Sequence, residues 1–86
     1  MSSYQLTLVF REDAKDAETQ AKALITGKIK TSHVWGLKDL AYPIASQKRG
    51  NYLYLEIELE PNQVDTLDKT LTQNEAILRH LLISQH

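Results

Sequence analysis

Apolar and polar residues alternate along residues 4–10, with Tyr4, Leu6, Leu8 and Phe10 on one side and Gln5, Thr7 and Val9 on the other. That period of two predicts a half-buried first strand. After Arg11-Glu12-Asp13 the period lengthens. Ala14, Ala17, Ala21, Leu24 and Ile25 recur at helical spacing and share one face. Asp13 is placed to cap this helix, and Asp16 and Glu18 sit where a helix N-terminus favours negative charge. Thr26-Gly27 ends it, with Gly27 suited to a left-handed cap. Residues 28–44 are rich in strand formers but carry Gly36 and Pro43, which predict a bulge and an edge position. Residues 45–50 read as a polar connection. Residues 51–60 form the clearest strand: Leu53, Leu55, Ile57 and Leu59 face one way, and Tyr52, Tyr54, Glu56, Glu58 and Glu60 the other. Pro61 suits the first turn of a second helix, whose stripe is Val64, Leu67 and Leu71. Gln73-Asn74-Glu75 breaks it, and residues 76–83 make a fourth strand.

The order β-α-β-β-α-β is the split-βαβ, ferredoxin-like arrangement of the α+β class. Right-handed crossovers put both helices on one face of an antiparallel sheet in order 4-1-3-2, with strand two at an edge. Leu6, Leu8, Leu24, Leu53, Leu55, Leu67 and Leu71 form the expected core of a single domain spanning residues 1–86. The other sheet face is left open, bearing Gln5, Thr7, Val9, Tyr52 and Tyr54. Strand four is apolar on both sides. Either Ile77, Arg79, Leu81 and Ile83 or Leu78, His80 and Leu82 must point away from the helices, and both sets suggest a covered surface.

Charge alters this picture locally. The net charge is −1, yet residues 27–52 hold Lys28, Lys30, Lys38, Lys48 and Arg49 against Asp39 alone. One segment is basic and the remainder acidic, a dipolar surface able to meet phosphate on one side. With no cysteine, disulfides and thiolate metal sites are excluded. The chain enters its first strand at once, without the regions of a signal peptide, and has no apolar run of membrane-spanning length, which points to a cytoplasmic protein.

Catalytic chemistry finds no foothold. His33, His80 and His86 lack zinc-ligand spacing, and the glycines are too scattered for a phosphate loop. His33 reads as a surface strand residue, His80 as either core or open-face, and His86 as a disordered end. Glu56 and Glu58 read as solubilising charges. Tyr52 and Tyr54 are candidates for base stacking or for ordinary cross-strand packing.

The run Trp35-Gly36-Leu37-Lys38-Asp39-Leu40-Ala41-Tyr42-Pro43-Ile44 closely resembles the signature of the ribosomal protein S6 family of the small subunit. Gly50-Asn51-Tyr52-Leu53-Tyr54, Glu60-Pro61 and Asn74-Glu75-Ala76-Ile77-Leu78-Arg79 resemble its other motifs in the same order. The resemblance implies the ferredoxin-like fold, no enzymatic activity, no cofactor and no small-molecule substrate. It implies binding to small-subunit ribosomal RNA together with protein S18, in the ribosome. By resemblance, Lys38, Lys48, Arg49, Arg79, Tyr4 and Tyr52 would meet RNA. Tyr54, Leu81 and Ile83, on the sheet, would meet the partner protein. Asp39 departs from the family by standing in place of a basic residue, the helix-to-strand connection at Thr26-Gly27 is short, and the chain stops at His86, which implies weaker two-protein affinity. Two other readings share the topology: a regulatory module that dimerises through its sheet and binds a small molecule, and an acylphosphatase-like hydrolase, for which Arg11-Glu12-Asp13 offers no phosphate cradle.

Overall fold

The computed structural model describes residues 2–44 and 46–85. The elements are β1 (Ser2–Arg11), α1 (Ala17–Leu24), β2 (Lys28–Ile44), β3 (Gln47–Leu59), a 3-10 turn (Pro61–Gln63) running into α2 (Val64–Gln73), and β4 (Ile77–Gln85). The strands form one antiparallel sheet in the order β2-β3-β1-β4, the predicted order read from the other edge. Leu6, Leu8, Phe10, Leu53, Leu55, Ile57 and Leu59 point to one side, where Ala21 and Ile25 from the first helical segment and Leu67 and Leu71 from α2 close over them. Both helices therefore cover the same face. Leu24 is only half-buried and packs at the core margin.

Several boundaries differ from expectation. Helix α1 begins at Ala17, not near Asp13, because Asp16 takes a left-handed conformation with φ 52° and starts the helix with its carbonyl, which accepts from the Gln20 amide at 2.9 Å. Asp is one of the residues that tolerates this region. Gly27 is not a left-handed cap: α1 ends in extended Ile25. Glycine is required at position 27 because a Cβ there would collide with the Glu58 carbonyl oxygen and the Leu59 side chain. Gln47 to Gly50 belong to a strand rather than to the expected polar connection. Ile44 pairs with Gln47, so β2 and β3 close a tight hairpin in which Ser46 has φ 66°, and Lys48 and Arg49 lie on β3. Ala45 and His86 lie outside the described residues.

Strand β2 is an edge, as Pro43 required, and its register shifts at three places, one at Val34/Gly36 and one between Asp39 and Ile44. The ambiguity of β4 is resolved by a bulge. Leu82 and His80 oppose Leu6 and Leu8 on the helix side, Leu81 and Arg79 oppose Thr7 and Val9 on the open side, and a shift between Val9 and Phe10 returns Ile77 to the core. His80 reaches α2, where Nε2 lies 2.7 Å from Asp68 Oδ1.

Truncating the wholly buried Leu55 to Ala should cost about 2–5 kcal/mol, a large part of the stability of so small a domain. Gly27→Ala should cost about 1–3 kcal/mol through the clash with backbone. Urea denaturation of both variants checks the two values.

Candidate nucleic-acid interface

Four cross-strand rows make up the open face. From one end they read Gly36–Tyr52–Val9–Arg79, His33–Tyr54–Thr7–Leu81, Thr31–Glu56–Gln5–Ile83 and Lys28–Glu58–Ser3. Beyond the first row, Lys38 and Arg11 flank Gly50. The charges are thereby sorted along the strands. Arg79, Lys38 and Arg11 gather at the end nearest the β2–β3 hairpin, and Glu56 and Glu58 at the other, where Lys28 opposes Glu58. Among the described residues no polar or charged side chain is buried, so this sorting is presented to solvent.

The basic end owes its composition to the irregularity in β2. Side chains of a strand alternate between faces, and one inserted residue reverses the alternation beyond it. Val34 opposes Leu53 and Gly36 opposes Tyr52, so Trp35 is the extra residue. Gly36 takes φ 85° there, a conformation that favours glycine. The reversal brings Lys38 to the open side, where its Nζ lies 5.5 Å from the centre of the Trp35 ring. Trp35 in turn stacks on Tyr54, with ring centroids 5.6 Å apart and planes 3° from parallel, and His33 stacks on the same tyrosine at 6.1 Å. Two rings therefore stack on Tyr54, and one of them, Trp35, carries the Lys38 ammonium over its face.

The residues singled out from sequence divide accordingly. Lys38, Tyr52, Tyr54, Arg79, Leu81 and Ile83 share the open face, and alternation along β3 turns Lys48 to the same side as Tyr52. Arg49 falls on the opposite alternation, where its Nε donates to Asp39 Oδ1 at 3.0 Å. Tyr4 lies on the helix side and packs against the core. Trp35, His33 and Arg11 also belong to the face and were not singled out as site residues. The signal for Trp35 was present in the glycine that follows it. Arg11 is made part of the face by continuing the Val9 alternation, although an acid neighbour, Asp13, stands 3.6 Å from its Nε.

Apolar exposure completes the surface. Leu81 and Ile83 are about half exposed, as are Trp35 and Tyr42 on the hairpin. Among the described residues no group of three His, Cys, Asp or Glu is arranged to hold a metal, and no helix is long and apolar enough to cross a membrane.

A four-stranded antiparallel sheet with both helices on one face and this strand order defines a split-βαβ, ferredoxin-like domain. The chain belongs to the ribosomal protein S6 family, whose model, described as Ribosomal protein S6, matches residues 3–84. It is 37% identical to the small ribosomal subunit protein bS6 of Ruthia magnifica subsp. Calyptogena magnifica, over 99% of this chain and 81% of that protein. It is 35% identical to bS6 of Vesicomyosocius okutanii, over 100% of this chain and 82% of that one. The crystal structure of 30S ribosomal protein S6 from Thermotoga maritima superposes with a TM-score of 0.83 at 17% identity, covering 98% of this chain and 87% of that one. That likeness shows the shared fold.

Replacing Tyr54 with Leu should remove both ring contacts, shift Trp35 emission to the red and cost about 0.5–1.5 kcal/mol beyond the change in buried area. Trp35 is the sole tryptophan, so steady-state fluorescence and urea melts read the two effects separately.

Proposed function

We propose that this chain is a structural constituent of the small subunit of the cytoplasmic ribosome, binding small-subunit ribosomal RNA together with protein S18. The observation that carries the reading is the family match over residues 3–84. The polarity of the open face supports it and suggests a division of labour. Lys38 and Lys48, with Arg11 beside them, meet phosphates at the basic end, where Arg79 also meets the RNA. Tyr52 offers a ring to bases. Leu81 and Ile83, with Tyr54, form the protein contact further along β4. Phosphate contacts position such a protein, and RNA shape with the partner supplies specificity. Arg49 and Tyr4 contribute less, since one is paired with Asp39 and the other packs under the sheet. No catalytic or cofactor role enters the proposal.

The half-exposed Leu81 and Ile83 also fit a homodimer joined through the sheets, the second reading. Sedimentation decides between them. The tagged chain should travel with small subunits in a lysate gradient, and the purified chain should be monomeric without RNA. A stable RNA-free homodimer absent from the ribosomal fractions would favour the second reading.

Lys38→Gln with Lys48→Gln should weaken RNA binding and flatten its salt dependence by about 0.7–0.9 log–log units for each phosphate set free. Asp39→Asn should act in the opposite sense. It frees Arg49, raises RNA affinity at low salt and alters stability by no more than ~0.5 kcal/mol, because the pair is exposed. Filter binding across a salt series, with urea melts alongside, checks both.

A further inference from the structure

Val9 sits on the open face yet is only 4% exposed. One of its methyls lies over Gly50, so closely that a Cβ at position 50 would meet it. Val9 is the floor of a depression of about 160 Å³ whose lining is Thr7, Val9, Tyr52, Arg79, His80 and Leu81. The His80 side chain is engaged with Asp68 under the sheet. The walls above the sheet are therefore Tyr52 on one flank, Arg79 on the other, and Thr7 with Leu81 behind.

The ladder sets the width of this slot. Tyr52 and Arg79 both oppose Val9, one on each neighbouring strand. Their backbones are thus about 10 Å apart, two interstrand spacings of roughly 4.8 Å. A plane inserted midway stands about 5 Å from each backbone line, within the range of offset-stacked rings. The volume suits one planar ring, since a cavity of about 150 Å³ holds benzene. The chemistry narrows the occupant. The floor is aliphatic, one wall is a phenol, the other is a guanidinium, and Thr7 brings a hydroxyl to the edge.

We propose that this slot takes a single unpaired nucleobase of RNA, seated on Val9 and sandwiched between the Tyr52 ring and the Arg79 guanidinium. The inference rests on the RNA-binding reading above and deepens it. Aromatic faces and arginine planes are the two surfaces on which splayed-out bases stack, and a base within a helix could not enter. The nucleotide's phosphates face Lys38 and Arg11, which flank Gly50 at the next step along the strands. The slot therefore reads a looped, bulged or single-stranded nucleotide and rejects continuous duplex.

The test uses a single-stranded heptauridylate carrying 2-aminopurine at its centre, whose emission falls when the base stacks. Binding to the natural chain should quench it. Val9→Phe fills the floor and Tyr52→Leu removes a wall. Each should abolish the quench and weaken binding about tenfold, the loss of one stacked base, while leaving the salt slope unchanged. Tyr52→Phe should keep both quench and affinity. Circular dichroism confirms folding, and Tyr52→Leu carries the test should Val9→Phe not fold. Undiminished quenching in the folded Val9→Phe and Tyr52→Leu chains would overturn the slot. If the heptamer fails to bind while small-subunit ribosomal RNA binds with a steep salt slope, the slot falls and the RNA reading stands. If neither RNA binds, both fall.

Discussion

Among the described residues, eighteen of α-helix, eight in α1 and ten in α2, cover a four-stranded sheet. Helices of that length extend only about 12 and 15 Å, enough to close over one face and not two. Everything else in the molecule is arranged around this one-sided burial. The interior strands β1 and β3 supply its aliphatic floor, and every second residue along them is committed to it. The remaining residues of those strands must then stand in solvent or against another molecule. The fold creates a free face as the unavoidable complement of its core.

On that face the order of residues along the strands becomes an order of charge in space. Antiparallel pairing places Arg79 and Lys38 near Tyr52, and Glu56 beside Gln5 and Ile83, because register leaves no other option. The β2 bulge has the larger leverage. It costs the edge strand regular pairing at Val34/Gly36, and in return moves Lys38 from the helix side to the open side, above Trp35. A point charge near an indole ring is held by roughly 0.5–1 kcal/mol at an exposed site, so Lys38 is oriented without being neutralised. Arg49 shows the contrast: beside Asp39 its guanidinium already has a carboxylate.

The sheet and its order were legible in sequence because β1 and β3 alternate cleanly and both helices carry an apolar stripe. What misled was backbone conformation at single residues. Asp13 looked like a cap because its type is right, but the left-handed turn falls at Asp16. Gly27 looked like a cap for the same reason, whereas its role is close approach to Glu58, a contact 31 positions away that no local pattern encodes. The run at 45–50 read as loop from its polarity, since a strand pair beyond the core needs no apolar face. The site was legible as residue types rather than as a surface. Tyr52, Arg79 and Lys38 were singled out, but their grouping depends on two bulges, one bringing Lys38 up and one turning Ile77 down. Arg11 was passed over because it borders a turn and reads as its flank.

The acidic net charge then presents no obstacle to binding a polyanion. Charges separated by more than about 8 Å are largely screened at physiological salt, and the molecule is 36 Å long. On the proposed reading, RNA at the hairpin end would meet Lys38, Lys48, Arg79 and Arg11, while Glu56 and Glu58 lie one and two rows beyond Tyr54. What matters is the local field, and the sheet register sets it. The acidic end is still useful in this arrangement. It makes the face directional, so that phosphate is attracted at one end and repelled at the other. The ladder thus decides where on the face a polyanion would be favoured, at the hairpin end rather than over Glu56 and Glu58.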